Sequence, residues 1–327
     1  MPGTEPARPD VSAVIVSRNQ RELLVSALSS LYSASQGLVL EAFLVDNNSS
    51  DGTPNAIRTL FPEVEITLRD ENLGFAKANN LSLRKARGRY ILLLNPDTYV
   101  QAQGVRTVVE FMDRHPEVGI CGPKVVLPNG RLDAPCKRSF KTPSIYFYKA
   151  TGLSSLFPRS RRFGKYYLSY LDEDQMADVD SVMGAFLMIR QETIRDIGLL
   201  DERFFMYAEE EDWCFRAKKA GWKVVYNPQA AVVHYRAGGT AVHPARIAYE
   251  WHKSAFLFHR KSIASSYPFA VNVAIYLGIG AGLLMKITRI FLLAALSRKR
   301  NDIIGDRPTI VAFRDGSVST HLDQGGQ

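Results

Sequence analysis

Residues 90–97 read Tyr-Ile-Leu-Leu-Leu-Asn-Pro-Asp. Five apolar side chains in succession leave no polar face, which suits a central strand buried on both sides of a parallel sheet. The run stops at Asn95-Pro96, and Asp97 emerges at its carboxyl end. In open α/β sheets ligands bind in the crevice beyond the carboxyl ends of the strands, so chemistry is expected here. A carboxylate leaving a buried strand is costly unless it is paired, hydrated or bound to a cation. An Asx-type turn accounts for the residues structurally. A divalent Mg or Mn ion on Asp97 accounts for them functionally, because oxygen ligands suit such ions and the charge of a departing diphosphate needs neutralising.

Working outward, residues 11–16 and 40–45 form two more β-branched or Leu-rich runs, and 65–68 a weak third. Between them Leu23, Leu24, Ala27, Leu28 and Leu31 recur at helical spacing, and 76–86 reads as another helix. Alternating strands and helices predict an α/β fold with a Rossmann-like sheet flanked by helices. After a differently textured segment, the pattern returns with a strand at 181–189, a helix at 211–220 closed by Gly221, and short strands at 223–226 and 230–235.

Polar clusters follow the strands. Ser17-Arg18-Asn19 follows the first and Asp46-Asn47-Asn48-Ser49-Ser50-Asp51-Gly52 the second. Turn chemistry and helix capping explain much of the latter, while Asp46 at a strand end also suits a nucleobase or ribose. Asn72-Leu73-Gly74-Phe75-Ala76-Lys77-Ala78-Asn79 puts a glycine turn and Lys77 at a helix start, a feature that suits phosphate or leaves a solvated lysine. Neither GxGxxG nor a Walker A pattern is present. Farther on, Phe204-Phe205-Met206-Tyr207-Ala208 leads into the acids Glu209-Glu210-Glu211-Asp212, followed by Trp213. Four ionised neighbours repel, so a raised pKa or a cationic partner is expected, and with it a general base; the same acids also complement a helix macrodipole. His234, ahead of Arg236, Gly238, Gly239 and Thr240, would complete a metal site with Asp97 or serve the fold alone.

The intervening residues 131–165 carry nine Lys or Arg against the single acid Asp133, with Tyr146, Phe147, Tyr148 and Phe157 interleaved. This predicts a loop-rich basic surface, either a solvated insertion or a flap for a phosphate-bearing or membrane-bound substrate. Residues 268–285 hold Asn272 as their only strongly polar side chain, and eighteen residues is the lower edge of a spanning helix. Lys286 and Arg289 then interrupt, so the continuation reads as interfacial. The alternative is a buried hairpin packed through Gly278, Gly280 and Gly282.

The whole chain, 327 residues with 46 % hydrophobic and 23 % charged, excludes disorder and fibre. Its net charge of +8 favours anionic partners, but no nucleic-acid motif accompanies it. Three widely spaced cysteines, Cys121, Cys136 and Cys214, predict free thiols in a reducing compartment, and the first apolar run is too short for a signal peptide.

Together, Val14-Ile15-Val16-Ser17-Arg18-Asn19, the 46–52 run, Asn72-Leu73-Gly74-Phe75-Ala76, Asn95-Pro96-Asp97, Gly184-Ala185-Phe186-Leu187 and 204–216 resemble the family 2 glycosyltransferases of GT-A fold, most closely the rhamnosyltransferase-like branch. The resemblance covers about residues 11–240. It implies a GT-A catalytic domain over 1–245, with a donor half near 11–126 and an acceptor half near 178–240, and a helical membrane-associating extension over 246–327. It implies inverting transfer from a nucleoside diphosphate sugar, dTDP- or UDP-linked, to a glycan or polyprenyl-diphosphate-linked glycan at the cytoplasmic face of the membrane. Rhamnose is an analogy to the nearest branch. Ser17, Asn19, Asp46, Asn48, Asp51, Asn72, Gly74, Phe75, Lys77, Asn79, Asn95, Gly184 and Trp213 would line the substrates. Asp97 and His234 would bind the divalent metal, with Asn95 departing from a full acidic pair. Glu210 would be the base, with Glu209 and Asp212 as alternatives, where the family has Glu-Asp in place of Glu209-Glu210. Tyr166 and Tyr167 would stack on sugar rings. An inactive nucleotide-sugar-binding protein of the same fold is the competing reading.

Overall fold

The computed structural model describes residues 8–237 and 244–304. By its contacts the chain divides into two compact units, the first ending at Leu283 and the second beginning at Leu284.

The first unit is built on a mixed sheet. Strand β1 (Val11–Ser17), helix α1 (Arg21–Ala34), β2 (Leu40–Asn47), α2 (Thr53–Leu60), β3 (Glu65–Arg69), α3 (Phe75–Leu83) and β4 (Tyr90–Leu94) alternate as the sequence pattern requires. There follow β5 (Thr98–Val100), α4 (Gly104–Arg114), β6 (Val118–Val126), β7 (Lys137–Arg138), α5 (Pro143–Ala150), α6 (Leu153–Leu156), β8 (Ala177–Asp178), β9 (Ser181–Val182), β10 (Phe186–Arg190), α7 (Gln191–Ile197), α8 (Glu209–Lys219) and β11 (Lys223–His234). Among the described residues the main sheet runs β3-β2-β1-β4-β10-β6-β11-β5, with β8 also on β11, and β7 pairs β9 separately.

Strand β4 lies between β1, its parallel neighbour, and β10, its antiparallel one, so all five residues are buried. Truncating one of them, as in Leu92→Ala, removes apolar burial and leaves a cavity at a cost of about 2–5 kcal/mol. In α1 the side chains of Leu24, Ala27, Leu28 and Leu31 are buried, and Ser30 ties the helix to the sheet by accepting the Val100 amide at 3.0 Å.

Three expectations change. The run at 181–189 is not one strand: β9 and β10 are separated at residues 183–185, where the Ala185 carbonyl accepts the Asn95 amide at 3.0 Å. The two strands at 223–226 and 230–235 are one, β11, whose register against β6 shifts between Asn227 and Ala231. The basic segment is not simply a loop-rich surface. It carries β7, α5 and α6, and Lys137, Arg138 and Lys141 are buried within it.

Helix α9 (Pro244–Phe258) packs Phe258 with Phe204 and Ala208 of the loop before α8, and Ile263 joins the same cluster. Helix α10 (Phe269–Ile304) begins where Asn272 accepts from His259 at 2.9 Å and donates to the Ala264 and Tyr267 carbonyls. It continues past Met285 without a break. Its stretch Phe269–Ala294 is long and apolar enough to cross a membrane by length and composition, with almost none of it buried. Of the three glycines expected to pack closely, only Gly282 has a neighbour, His252.

Candidate functional site

The first part of the site sits at the carboxyl ends of β1 and β2. Ser17 and Asp46 are register partners, both buried. Asp46 Oδ2 accepts the Ser49 amide at 2.9 Å, but Asp46 Oδ1 and Ser17 Oγ are buried with no hydrogen-bond partner among the described residues. Two adjacent orphaned polar atoms at a strand-end crevice are suited to a polar ligand, since leaving them unmet is costly. Around them Asn19 accepts the Ser50 amide at 2.7 Å, and Asp51 accepts the Thr53 amide at 3.0 Å and the Arg21 amide at 3.1 Å. Those two residues brace the loop. Asn48 is exposed, with φ +68°.

The second part is the turn into α3. Asn47, fully enclosed at the end of β2, accepts the Leu73 amide at 2.9 Å and donates to Asn72 Oδ1 at 2.8 Å and to the Gly74 carbonyl at 3.2 Å. Asn72 in turn accepts the Gly74 amide at 2.9 Å. Gly74 adopts φ +78°, and a Cβ there would strike the Phe205 carbonyl, which accepts the Phe75 amide at 2.6 Å. This junction joins the turn to the loop before α8. Lys77 is exposed. Asn79 is buried, and its amide nitrogen donates to the Phe75 carbonyl at 2.9 Å.

The third part brings Asp97 and His234 together. The antiparallel pairing of β11 with β5 sets His234 opposite Thr98, and His234 Nε2 lies 3.4 Å from Asp97 Oδ1. On the other ring nitrogen, Nδ1 is 3.1 Å from Asp133 Oδ2, and Asp133 is also gripped by Arg236. Burial opposes charge on this imidazole, but Asp133 and Asp97 outweigh it and bring His234 up to about 9. Thr98 Oγ1 is buried nearby in sequence without a partner. Gly238, Gly239 and Thr240 lie outside the described residues. Among the described residues no group of three or more His, Cys, Asp or Glu is arranged to hold a metal. Asp97 and His234 are a two-donor set of oxygen and nitrogen, with Asp133 orienting the ring from behind as second partners of metal-bound histidines do. That set would fit a divalent ion completed by a diphosphate and water, with the imidazole giving up its Nε2 proton on binding.

The fourth part is the acidic start of α8, entered through Tyr207 and Ala208, both left-handed at φ +71° and +63°. Such strain persists only where surrounding structure enforces it. Each following acid meets a different fate. Glu210 is buried, and its Oε1 accepts from Arg138 Nη2 at 2.6 Å, while Oε2 has no hydrogen bond among the described residues. Arg138 also donates to the Val182 carbonyl at 3.1 Å, so the β7–β9 pair aims it. Glu211 is fully buried against Lys141. Burial, then the neighbouring Glu210, pushes Glu209 well above the usual carboxyl range. Asp212 is fully buried and held by Arg216 at 2.8 Å and Lys261 at 2.8 Å. Trp213 is sealed in the core with its indole nitrogen donating to the Gly198 carbonyl at 2.8 Å. Gly184 faces Glu210: a methyl there would stand 3.7 Å from Glu210 Cβ and 3.9 Å from the Phe75 ring. Asn95 is half-buried behind Asp97.

Sequence reasoning missed Arg138, Lys141, Asp133 and Asn47. The signal for the first two was the charge balance, since four adjacent acids demand cations and residues 131–165 supply them.

The sequence model of Glycosyl transferase family 2 matches residues 12–191, more than half of the chain. The chain belongs to the family 2 glycosyltransferases. This glycosyltransferase is 29 % identical over 230 residues to the N-acetylglucosaminyl-diphospho-decaprenol L-rhamnosyltransferase of Mycobacterium tuberculosis, covering 67 % of this chain and 74 % of that protein. It is 28 % identical over 216 residues, 64 % of this chain and 62 % of the other, to the low-salt glycan biosynthesis hexosyltransferase Agl10 of Haloferax volcanii. Among solved structures, the mannosyltransferase PcManGT of Pyrobaculum calidifontis in complex with GDP-Man and Mn2+ superposes with a TM-score of 0.52 at 19 % identity, over 89 % of this chain and 81 % of that one. GalNAc-T7 with UDP, GalNAc and Mn2+ gives 0.51 at 13 % identity, over 85 % and 55 %. The glycosyltransferase thus has the GT-A fold, a mixed sheet flanked by helices.

Proposed function

We propose that the enzyme transfers a sugar, L-rhamnose by likeness to the mycobacterial relative, from a nucleoside diphosphate donor to a hydroxyl of a polyprenyl-diphosphate-linked glycan, inverting the anomeric centre. The observation that carries this reading is the buried Glu210, facing Gly184, with one oxygen fixed by Arg138 and the other without a hydrogen bond among the described residues. Glu210 takes the proton of the acceptor hydroxyl as that oxygen bonds to the anomeric carbon and the bond to the diphosphate breaks, with no covalent enzyme intermediate. The orphaned Ser17 Oγ and Asp46 Oδ1 support a nucleoside pocket. Asp97 and His234 would hold the divalent ion, which when bound neutralises the departing diphosphate. The apolar stretch Phe269–Ala294 supports attachment to the cytoplasmic membrane face, where a lipid-linked acceptor is met.

The test uses the full chain with dTDP-L-rhamnose or UDP-sugars, Mn2+ and a prenyl-diphosphate-linked N-acetylglucosamine acceptor. Acceptor-dependent nucleotide release is expected, falling about 10²–10⁴-fold in Glu210→Gln with donor affinity kept. Donor binding without transfer to any acceptor would leave the inactive binding protein as the better reading. Membrane fractionation with residues 268–300 deleted tests the attachment.

A further inference from the structure

Behind the Arg138–Glu210 and Lys141–Glu211 pairs stands a third cation, Lys149 of α5. Its Nζ lies 3.9 Å from the ring centre of Tyr166 and 5.1 Å from that of Tyr167, while Lys141 approaches the same Tyr166 ring at 5.8 Å. Arg138 and Lys141 are neutralised by their glutamates. Lys149 makes no hydrogen bond or ion pair with any described residue. Part of the residue is exposed, but the ammonium end is tucked against aromatic rings, and that burial, followed by the nearby Lys141, lowers Lys149 to about 8. An ammonium beside two other cations and lacking a carboxylate is stabilised by an incoming anion.

The same helix also exposes apolar surface. Phe147, Leu156 and Phe157 of α5, α6 and the turn beyond are exposed. Phe147 meets Tyr148, Tyr148 meets Phe163 at 5.0 Å, and Phe163 meets Phe157 at 5.8 Å, forming a continuous aromatic track. An ammonium and one end of an aromatic track carried by the same helix, with the Arg162 guanidinium over Tyr148 and Phe163 along the track, match an amphiphile with an anionic head and a hydrocarbon tail. Resting on the acceptor class read above, we infer that Lys149 binds the diphosphate of the lipid-linked acceptor, with the track from Tyr148 to Phe157 receiving the first prenyl units. The donor carries a diphosphate too, but its expected place is beside Asp97 and His234. Lys149 instead stands on the side of the base, through Tyr166, Lys141 and Glu211.

The two diphosphate sources are told apart by titrating the full chain in detergent with farnesyl diphosphate and, separately, with dTDP and UDP. Lys149→Ala is expected to weaken farnesyl diphosphate about tenfold, as loss of one charge-assisted contact does, with nucleotide affinity unchanged. Lys149→Arg should retain most of the affinity, and Arg159→Ala, an exposed charge outside the cluster, should leave it intact. Loss of nucleotide affinity in Lys149→Ala, unchanged farnesyl diphosphate binding, or equal losses in Lys149→Ala and Arg159→Ala would each overturn the assignment. Nucleotide binding with no farnesyl diphosphate binding in the wild type would overturn this inference alone, whereas failure to bind any nucleotide would overturn the proposed function itself.

Discussion

Arg138 Nη2 donates to Glu210 Oε1 at 2.6 Å with both side chains about nine-tenths buried, so a two-residue strand and the first turn of α8 are locked together by charge. Removing one partner of a buried pair leaves an uncompensated charge and costs about 3–5 kcal/mol, whereas removing both is far milder. Urea unfolding of Arg138→Met, Glu210→Met and the double variant should therefore be strongly non-additive. Additive losses would mean that the pair carries no coupling.

The Asp97–His234 contact makes a second prediction. With Asp97→Asn or His234→Ala, the Mn2+-dependent part of donor affinity should disappear, and EDTA should lower wild-type affinity to the level of the variants. The measurement is donor titration with and without metal. Variants that keep the full Mn2+ effect would remove both residues from the metal site.

Gly74→Ala addresses the junction between α3 and the loop before α8. The backbone there is at φ +78°, and the added Cβ meets the Phe205 carbonyl. Strain of this kind costs about 1–3 kcal/mol. A lowered urea midpoint is expected, together with weaker transfer, because Phe205 leads directly into Glu209 and Glu210.

Stability at low pH should depend on Asp201. Arg203, then Lys261, hold its carboxyl below the ordinary range, against some opposition from burial. A depressed folded-state value contributes stability above the unfolded value of about 3.9, and that stability is lost as pH falls toward the folded value. Melting curves of wild type and Asp201→Asn should differ by a constant amount between about pH 6 and 8 and converge below about pH 4. A gap that persists into acid would assign the residue a role other than charge.

Strong periodicity and unbroken apolar runs made β1, β2, β4 and α1 legible from sequence, because burial of those elements is written in their own residues. The break at residues 183–185 was not legible: Met183-Gly184-Ala185 is apolar enough to continue a strand, and only the Asn95 amide arriving at Ala185 shows why it stops. The positions of Asp46 and Asp97 at strand ends were legible because each motif occupies a single loop. Pairing was hidden where partners came from afar. Arg138 lies 72 residues before Glu210, and nothing local to either residue names the other. The full burial of Trp213 and Asp212 was hidden for the opposite reason, since their position in a run of acids says nothing about which face of α8 they occupy.

The strand register that seats His234 opposite Thr98 also fixes when the site comes into being. His234 joins Asp133 across 101 residues of chain, and β11 is the last strand of the sheet to be synthesised. Until it pairs with β5 and β6, Asp97 and Asp133 lack their shared imidazole. The nascent polypeptide therefore emerges from the ribosome with the loops after β1 and β2 complete but the Asp97–His234–Asp133 contact unassembled, so that contact is tied to completion of the fold.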